Sequence, residues 1–207
     1  MTNGFVNHLE KVWKEIEKDY GKNRINSEHA LQCDMYRLLR EYTDKEKLII
    51  LVEPSIFVKG KERFSPDLVI IKNKSIEYII ELKYAQPKKY VGYNPDWAKF
   101  NWLQKETEVK VKRNKYTKLG EEKFYVKDVK YFIFAYIDNP PIIGVSDGHR
   151  VFDGAINSNE KVLKYINSRK SHAWMKKKYI QFHGHIPREN NEPDSWGQTY
   201  SSKKVVF

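Results

Sequence analysis

The chain has 207 residues, 40% of them hydrophobic, so it is long enough and apolar enough to bury the core of one domain. Lys and Arg outnumber Asp and Glu by 38 to 27, the net charge is +11, and 14% of the residues are aromatic, a balance that favours a polyanionic partner such as nucleic acid. The single cysteine, Cys33, excludes an internal disulfide, and since neither a membrane-spanning run nor a signal-peptide pattern is found, we expect a cytoplasmic protein.

Two amphipathic helices are predicted at the start of the chain. Residues 4 to 20 carry apolar side chains at three- and four-residue spacing, and Gly21 ends this first helix. A second helix is predicted to begin with Asn26 or Ser27 as its cap and to end at about Tyr42. Apolar residues recur along one stripe of each helix, so both are expected to pack on a core.

The second helix carries a carboxylate on its apolar stripe. Glu28 comes three residues before Leu31, so its side chain is expected to face the core. The same residue in the first turn also favours the helix dipole, by ~0.3–1 kcal/mol, and this effect alone requires no function.

The first strands are predicted within residues 47 to 58, KLIILVEPSIFV, with a bend at Pro54. Glu53 interrupts this apolar run and is a secondary candidate for a metal site. A residue before a proline at the end of a strand is, however, more often simply exposed.

The stretch that contains the most unusual pattern is SPDLVIIKNKSIEYIIELKY, residues 65 to 84. It predicts a hairpin of two apolar strands around a short polar turn. Asp67, Glu81 and Lys83 interrupt the apolar runs. Burying an unpaired charge costs several kcal/mol, so these three residues require a partner or a metal.

The expected register of the hairpin brings two of these charges together. A three-residue turn would pair Lys72 with Ile76, and the same register sets Asp67 directly opposite Glu81. Opposed residues have Cβ atoms ~5 Å apart, close enough for two carboxylates to share a divalent cation. Because side chains alternate along a strand, Lys83 points to the same face as Glu81. The hairpin therefore predicts a metal site.

A helix and a further strand are predicted after the hairpin. Asn94 and Pro95 are a typical helix start, and the helix is expected to continue to about Lys118. Residues 130 to 137, KYFIFAYI, predict a strand parallel to the strand of Glu81. The second half of the helix is basic, which is usual for a solvated face but would also suit contact with a nucleic-acid backbone. These basic residues are Lys105, Lys110, Lys112, Arg113 and Lys115.

The C-terminal part contains a second candidate surface for nucleic acid. Lys176, Lys177 and Lys178 are interleaved with aromatic residues, a composition that suits binding to a strand or groove. His183 and His185 flank a single glycine and form only a weak metal signal.

We expect a single domain comprising residues 1–207. The core is predicted at about 26–138, with an N-terminal helix in 1–25, a hairpin and helix extension in 139–185, and an irregular tail in 186–207.

Pro66-Asp67 and Glu81-Leu82-Lys83, at the ends of two adjacent strands, resemble the motif of the PD-(D/E)XK nuclease superfamily. The resemblance extends over the order of elements from about residue 26 to residue 138. It implies an α/β, restriction-endonuclease-like fold with an α-β-β-β-α-β core, in which helices flank a mixed central sheet. In such nucleases a glutamate on the first core helix often joins the metal site, and Glu28 matches that position.

The implied activity is that of a metal-dependent DNA endonuclease. Asp67, Glu81, Glu28 and the backbone carbonyl of Leu82 are the expected metal ligands, and these hard oxygens suit Mg²⁺, or Mn²⁺. Lys83 is expected to orient the attacking water or to stabilise the transition state, so the catalytic set is Asp67, Glu81, Lys83 and Glu28. DNA is the expected partner with RNA still open, and a homodimer would suit cleavage of both strands.

Three other classes of function compete with this interpretation. One is a non-catalytic nucleic-acid-binding module on the same fold. A glycoside hydrolase with paired carboxylates is disfavoured by the basic charge and by Lys83. The third is a structural basic protein, in which Lys83 forms a core salt bridge with Glu81 or Asp67.

Overall fold

The computed structural model describes residues 4–58, 63–85, 94–113, 122–127, 129–138, 179–185 and 200–206. Within these ranges the chain forms a mixed α/β fold. The helices are α1 (Gly4–Gly21), α2 (Glu28–Lys45) and α3 (Asn94–Leu103). The strands are β1 (Ile49–Val52), β2 (Ser55–Phe57), β3 (Leu68–Lys72), β4 (Ser75–Ala85), β5 (Glu108–Lys112), β6 (Glu122–Tyr125), β7 (Tyr131–Asp138), β8 (Tyr179–His185) and β9 (Tyr200–Val206).

Strand β4 is the centre of a mixed sheet. It pairs antiparallel with β3 and parallel with β7, as the sequence predicted for the strand after the hairpin. Beyond these neighbours, β1 pairs antiparallel with β3, β8 parallel with β7, and β9 antiparallel with β8. Strands β2, β5 and β6 form an antiparallel extension that joins the beginning of β4 through β6.

Apolar side chains cover both faces of this sheet. On one face Ile70, Ile80 and Ile133 pack in a single cluster with α1 and α2. On the other face their sequence neighbours Val69, Ile79 and Phe132 pack with α3, β5 and β6. The alternation follows from the two-residue period of a strand, and it explains why these strands are nearly continuously apolar.

The two N-terminal helices are confirmed. Helix α1 ends at Gly21, and Ser27 is the cap of α2, its hydroxyl accepting a hydrogen bond from the Ala30 N–H at 3.1 Å. None of the described helices is long and apolar enough to cross a membrane.

The predicted bend at Pro54 is also present. It separates β1 from β2, and Glu53 adopts a left-handed backbone with φ of 44°. The Glu53 N–H donates to the Asp67 carbonyl at 3.0 Å, so the bend lies beside the start of β3.

The hairpin turn differs from the prediction by one residue. Lys72 pairs with Ser75 rather than with Ile76, because the turn has two residues and Asn73 supplies the left-handed conformation with φ of 55°. A β-bulge at Glu77 then shifts the register back, and Leu68 pairs with Ile80 as predicted.

The predicted helix to Lys118 is wrong in its second half. Helix α3 ends at Leu103, and Glu108–Lys112 forms strand β5. Val109 and Val111 are buried, whereas their neighbours on the strand are exposed or half-buried, and β-branched residues at a two-residue period favour a strand.

The tail predicted as irregular contains strand β9. Of the C-terminal extension, the structure describes β8, in which His183 and His185 lie. The predicted hairpin and helix of 139–178 are outside the described residues.

Candidate active site at the end of the central hairpin

The candidate site lies where β4 extends beyond the start of β3. The outermost pair of this ladder joins Leu68 to Ile80, and β4 continues to Ala85. Two backbone N–H groups on the protruding segment are bound by carboxylates. Leu82 N–H donates to Asp67 Oδ2 at 2.6 Å, and Tyr84 N–H donates to Glu28 Oε2 at 3.3 Å. Asp67 and Glu28 thus cover an edge that β3 leaves unpaired.

The backbone carbonyl of Leu82 belongs to the same edge. In an antiparallel ladder the N–H and C=O of one residue point toward the same neighbouring strand. Because the Leu82 N–H points to Asp67, its carbonyl is directed to that side of β4 as well. Carbonyl and carboxylate oxygens therefore gather at one edge of the sheet.

The carboxyl groups of Asp67 and Glu81 lie beside each other at the end of the hairpin. Continued past the Leu68–Ile80 pair, the register sets the two residues opposite each other, and the Glu81 carboxyl acts on the pKa of Asp67. Burial raises the pKa of Asp67; the Leu82 N–H, the Glu81 carboxyl and the nearby Lys83 oppose this rise, while the charge of Glu28 adds to it.

Gln32 holds Asp67 from helix α2. Its buried side-chain amide donates to both the Asp67 carbonyl and Asp67 Oδ1, each at 3.3 Å. With the Leu82 N–H on the other oxygen, both oxygens of the Asp67 carboxyl accept hydrogen bonds from fixed donors. The orientation of Asp67 is therefore set by two separate elements of the fold.

Two lysines flank the carboxylates. Lys99 Nζ, on α3, lies 3.7 Å from Glu81 Oε1, and only 3% of the Glu81 side chain is exposed. Lys83 Nζ lies 3.9 Å from Glu28 Oε1, with 15% of the Lys83 side chain exposed. Lys83, Glu81 and Asp67 are thus assembled in one region, where Lys83 also acts on the pKa of Asp67.

Glu28 is near the pair but is not turned into the core as expected. Its side chain is 44% exposed and contacts the end of β4 through Lys83 and the Tyr84 N–H. Among the described residues no group of three or more His, Cys, Asp or Glu side chains is close enough to hold a metal. The predicted set of three carboxylates is therefore separated into a close pair, Asp67 and Glu81, and an outer member, Glu28.

The close pair fits a hard divalent cation in its chemistry. Two neighbouring carboxyl groups repel each other when both are ionised, and a divalent cation bound between them relieves this repulsion. The Leu82 carbonyl adds a third hard oxygen at the same edge. Glu53, the secondary candidate for a metal ligand, is half-buried. Its backbone N–H donates a hydrogen bond to the Asp67 carbonyl.

The residues predicted to contact nucleic acid are scattered rather than aligned on one helix. Lys105 is exposed after α3, Lys110 is exposed on β5, and Lys112 is half-buried there. Arg113 is ion-paired with Glu122 at 2.7 Å. Four others lie outside the described residues: Lys115, Lys176, Lys177 and Lys178.

Two residues of the site were not among the predicted ones. Gln32 follows Glu28 by four residues and so shares its helix face, a signal that was present in the sequence. Lys99 had no comparable signal, because its contact with Glu81 depends on how α3 packs on the sheet.

Neither a family model, a curated protein nor a solved structure matches this chain.

Proposed function

We propose that this protein is a divalent-metal-dependent nuclease that hydrolyses phosphodiester bonds in DNA. The observation that carries the proposal is that the half-buried carboxyl of Asp67 lies beside the buried carboxyl of Glu81, with Lys83 two residues beyond Glu81 on the same strand. Hydrolysis of a phosphodiester requires carboxylates that hold a metal ion and a positive group that stabilises the developing negative charge, and these side chains can supply both.

The proposed fold is the restriction-endonuclease-like one. The order of helix α2, the β3–β4 hairpin, helix α3 and the parallel strand β7 supports it, because these elements follow the expected core in sequence and in pairing. Strands β5 and β6, between α3 and β7, are an addition to that core.

In this proposal Asp67, Glu81 and the Leu82 carbonyl hold Mg²⁺, or Mn²⁺, and Glu28 serves as an outer carboxylate. The metal, when bound, supplies positive charge and makes a bound water more acidic. Gln32 and the Leu82 N–H keep the Asp67 carboxylate oriented. Lys83 donates hydrogen bonds to the attacking water or to the phosphate oxygens on which negative charge accumulates.

The exposed lysines Lys105 and Lys110 are proposed to contact the nucleic-acid backbone. Each phosphate contact that is lost should lower the dependence of log affinity on log salt concentration by about 0.9 for duplex DNA. Substituting each lysine by Ala and measuring affinity across a salt series tests this role.

The decisive experiment is incubation of the full chain with plasmid, linear, forked and single-stranded DNA, and with RNA, in Mg²⁺ and in EDTA. We expect cleavage in Mg²⁺ and none in EDTA, and we expect Asp67→Ala to abolish cleavage while DNA binding is kept. Cleavage by Asp67→Ala at the wild-type rate would remove the assignment.

One observation favours a second candidate, a nucleic-acid-binding module without chemistry. Each lysine of the site already contacts a carboxylate, Lys83 with Glu28 and Lys99 with Glu81, as a purely structural charge network would require. Such a module would retard DNA on a gel but leave every substrate intact in Mg²⁺.

A further inference from the structure

Lys99 is a second cation at the carboxylate pair. Its ammonium group lies 3.7 Å from Glu81 Oε1, and the Glu81 side chain is almost completely buried. An ionised carboxylate in such surroundings requires nearby positive charge. Lys99 supplies this charge from α3, on the sheet face opposite to α1 and α2.

A divalent cation would need the same carboxylate. Two positive charges that bind one carboxylate side by side repel each other, and more strongly in a partly buried site than in water. We propose that Lys99 competes with the divalent metal for Glu81, and that a substrate phosphate strengthens metal binding by drawing Lys99 away. This inference rests on the proposed nuclease function.

The side chain of Lys99 is suited to such an exchange. It has a flexible four-carbon stem, and 24% of the side chain is exposed, so the ammonium group can leave Glu81 without movement of α3. By linkage, if phosphate binding raises the affinity for metal, metal binding raises the affinity for phosphate by the same factor. Lys99 would then be a positioning residue that makes the two ligands bind together.

The test is a titration of the full chain with Mn²⁺ in the absence of DNA, followed by electron paramagnetic resonance. Removal of the competing ammonium group in Lys99→Met should tighten Mn²⁺ binding by about three- to tenfold. Lys99→Arg, which keeps the charge, and Lys14→Met, which removes an exposed lysine of α1, should both stay within about twofold of wild type.

The second arm repeats the titration with a short phosphorothioate DNA duplex, which resists hydrolysis. The duplex should tighten Mn²⁺ binding to the wild type more than to Lys99→Met. A merely structural Lys99 would give the variant unchanged or weaker Mn²⁺ affinity, and that result would overturn the inference while leaving the proposed function standing. A wild type that binds no Mn²⁺ would overturn both. If Lys99→Met does not fold, Lys99→Gln is judged by the same criteria.

Discussion

The carboxyl of Asp67 lies beside the buried carboxyl of Glu81 at the end of the central hairpin, and Asp67 Oδ2 accepts a hydrogen bond from the Leu82 N–H at 2.6 Å. Two neighbouring carboxyl groups repel each other when both are ionised, and either a proton or a divalent cation relieves this repulsion. Acidity and divalent metal should therefore act on the same residue pair.

The first prediction concerns pH and stability without metal. Burial raises the pKa of Asp67 above its ordinary value of 3.8, so the protonated group stabilises the folded state, fully so below that value. This stabilisation is lost as the pH rises through the raised folded pKa. In EDTA, the wild type should therefore lose stability relative to Asp67→Asn as the pH is raised from 3.8 to neutrality. Melting temperatures across this range measure the difference; a constant difference would contradict the prediction.

Lys83 should matter for the chemical step rather than for metal binding. Its removal in Lys83→Met should lower the cleavage rate by about 10²–10³-fold, as loss of one electrostatic stabiliser does. Mn²⁺ affinity should stay within about threefold of wild type, because the metal ligands remain. Lys14→Met serves as the control for loss of one positive charge. Equal loss of metal affinity and cleavage in Lys83→Met would instead indicate a structural lysine.

Gln32 should contribute both to stability and to the site. Gln32→Ala removes two hydrogen bonds to Asp67, which is expected to lower the free energy of unfolding by about 1–3 kcal/mol. Mn²⁺ affinity should fall about tenfold, since the ligand loses its orienting partner. Arg37→Ala, which removes an exposed ion pair with Asp34 on the same helix, should change stability by less than about 0.5 kcal/mol. An unchanged Mn²⁺ affinity in Gln32→Ala would show that Gln32 does not position the ligand.

The sequence predicted the register that sets Asp67 opposite Glu81 through two errors that cancel. The turn was expected to have three residues, whereas Asn73 allows a tight two-residue turn. The one-residue difference is offset by the bulge at Glu77, which restores the predicted register. The Glu77 side chain forms an ion pair with Lys130. Local propensity could not reveal a bulge whose residue has its ion-pair partner more than 50 residues away in the sequence.

The limits of the helix prediction have a different cause. The stretch after Leu103 also fits a helix, because Thr107 and Val111 are four residues apart. Val109 and Val111 also fit the two-residue period of a strand. The segment forms strand β5, because it pairs with β2 on one side and with β6 on the other. Short periodic segments fit both patterns, and tertiary pairing selects between them.

The last prediction separates these two patterns by stability. Val109 on β5 is 3% exposed, and Thr107, just before β5, is exposed, whereas a helical stripe would bury Thr107 with Val111 and leave Val109 outside. Val109→Ala should therefore lower the free energy of unfolding by about 1–3 kcal/mol, because apolar surface is lost from the core. Thr107→Ala should change it by less than about 0.5 kcal/mol. Urea denaturation of both variants measures the contrast, and the reverse order of effects would show that α3 continues beyond Leu103 after all.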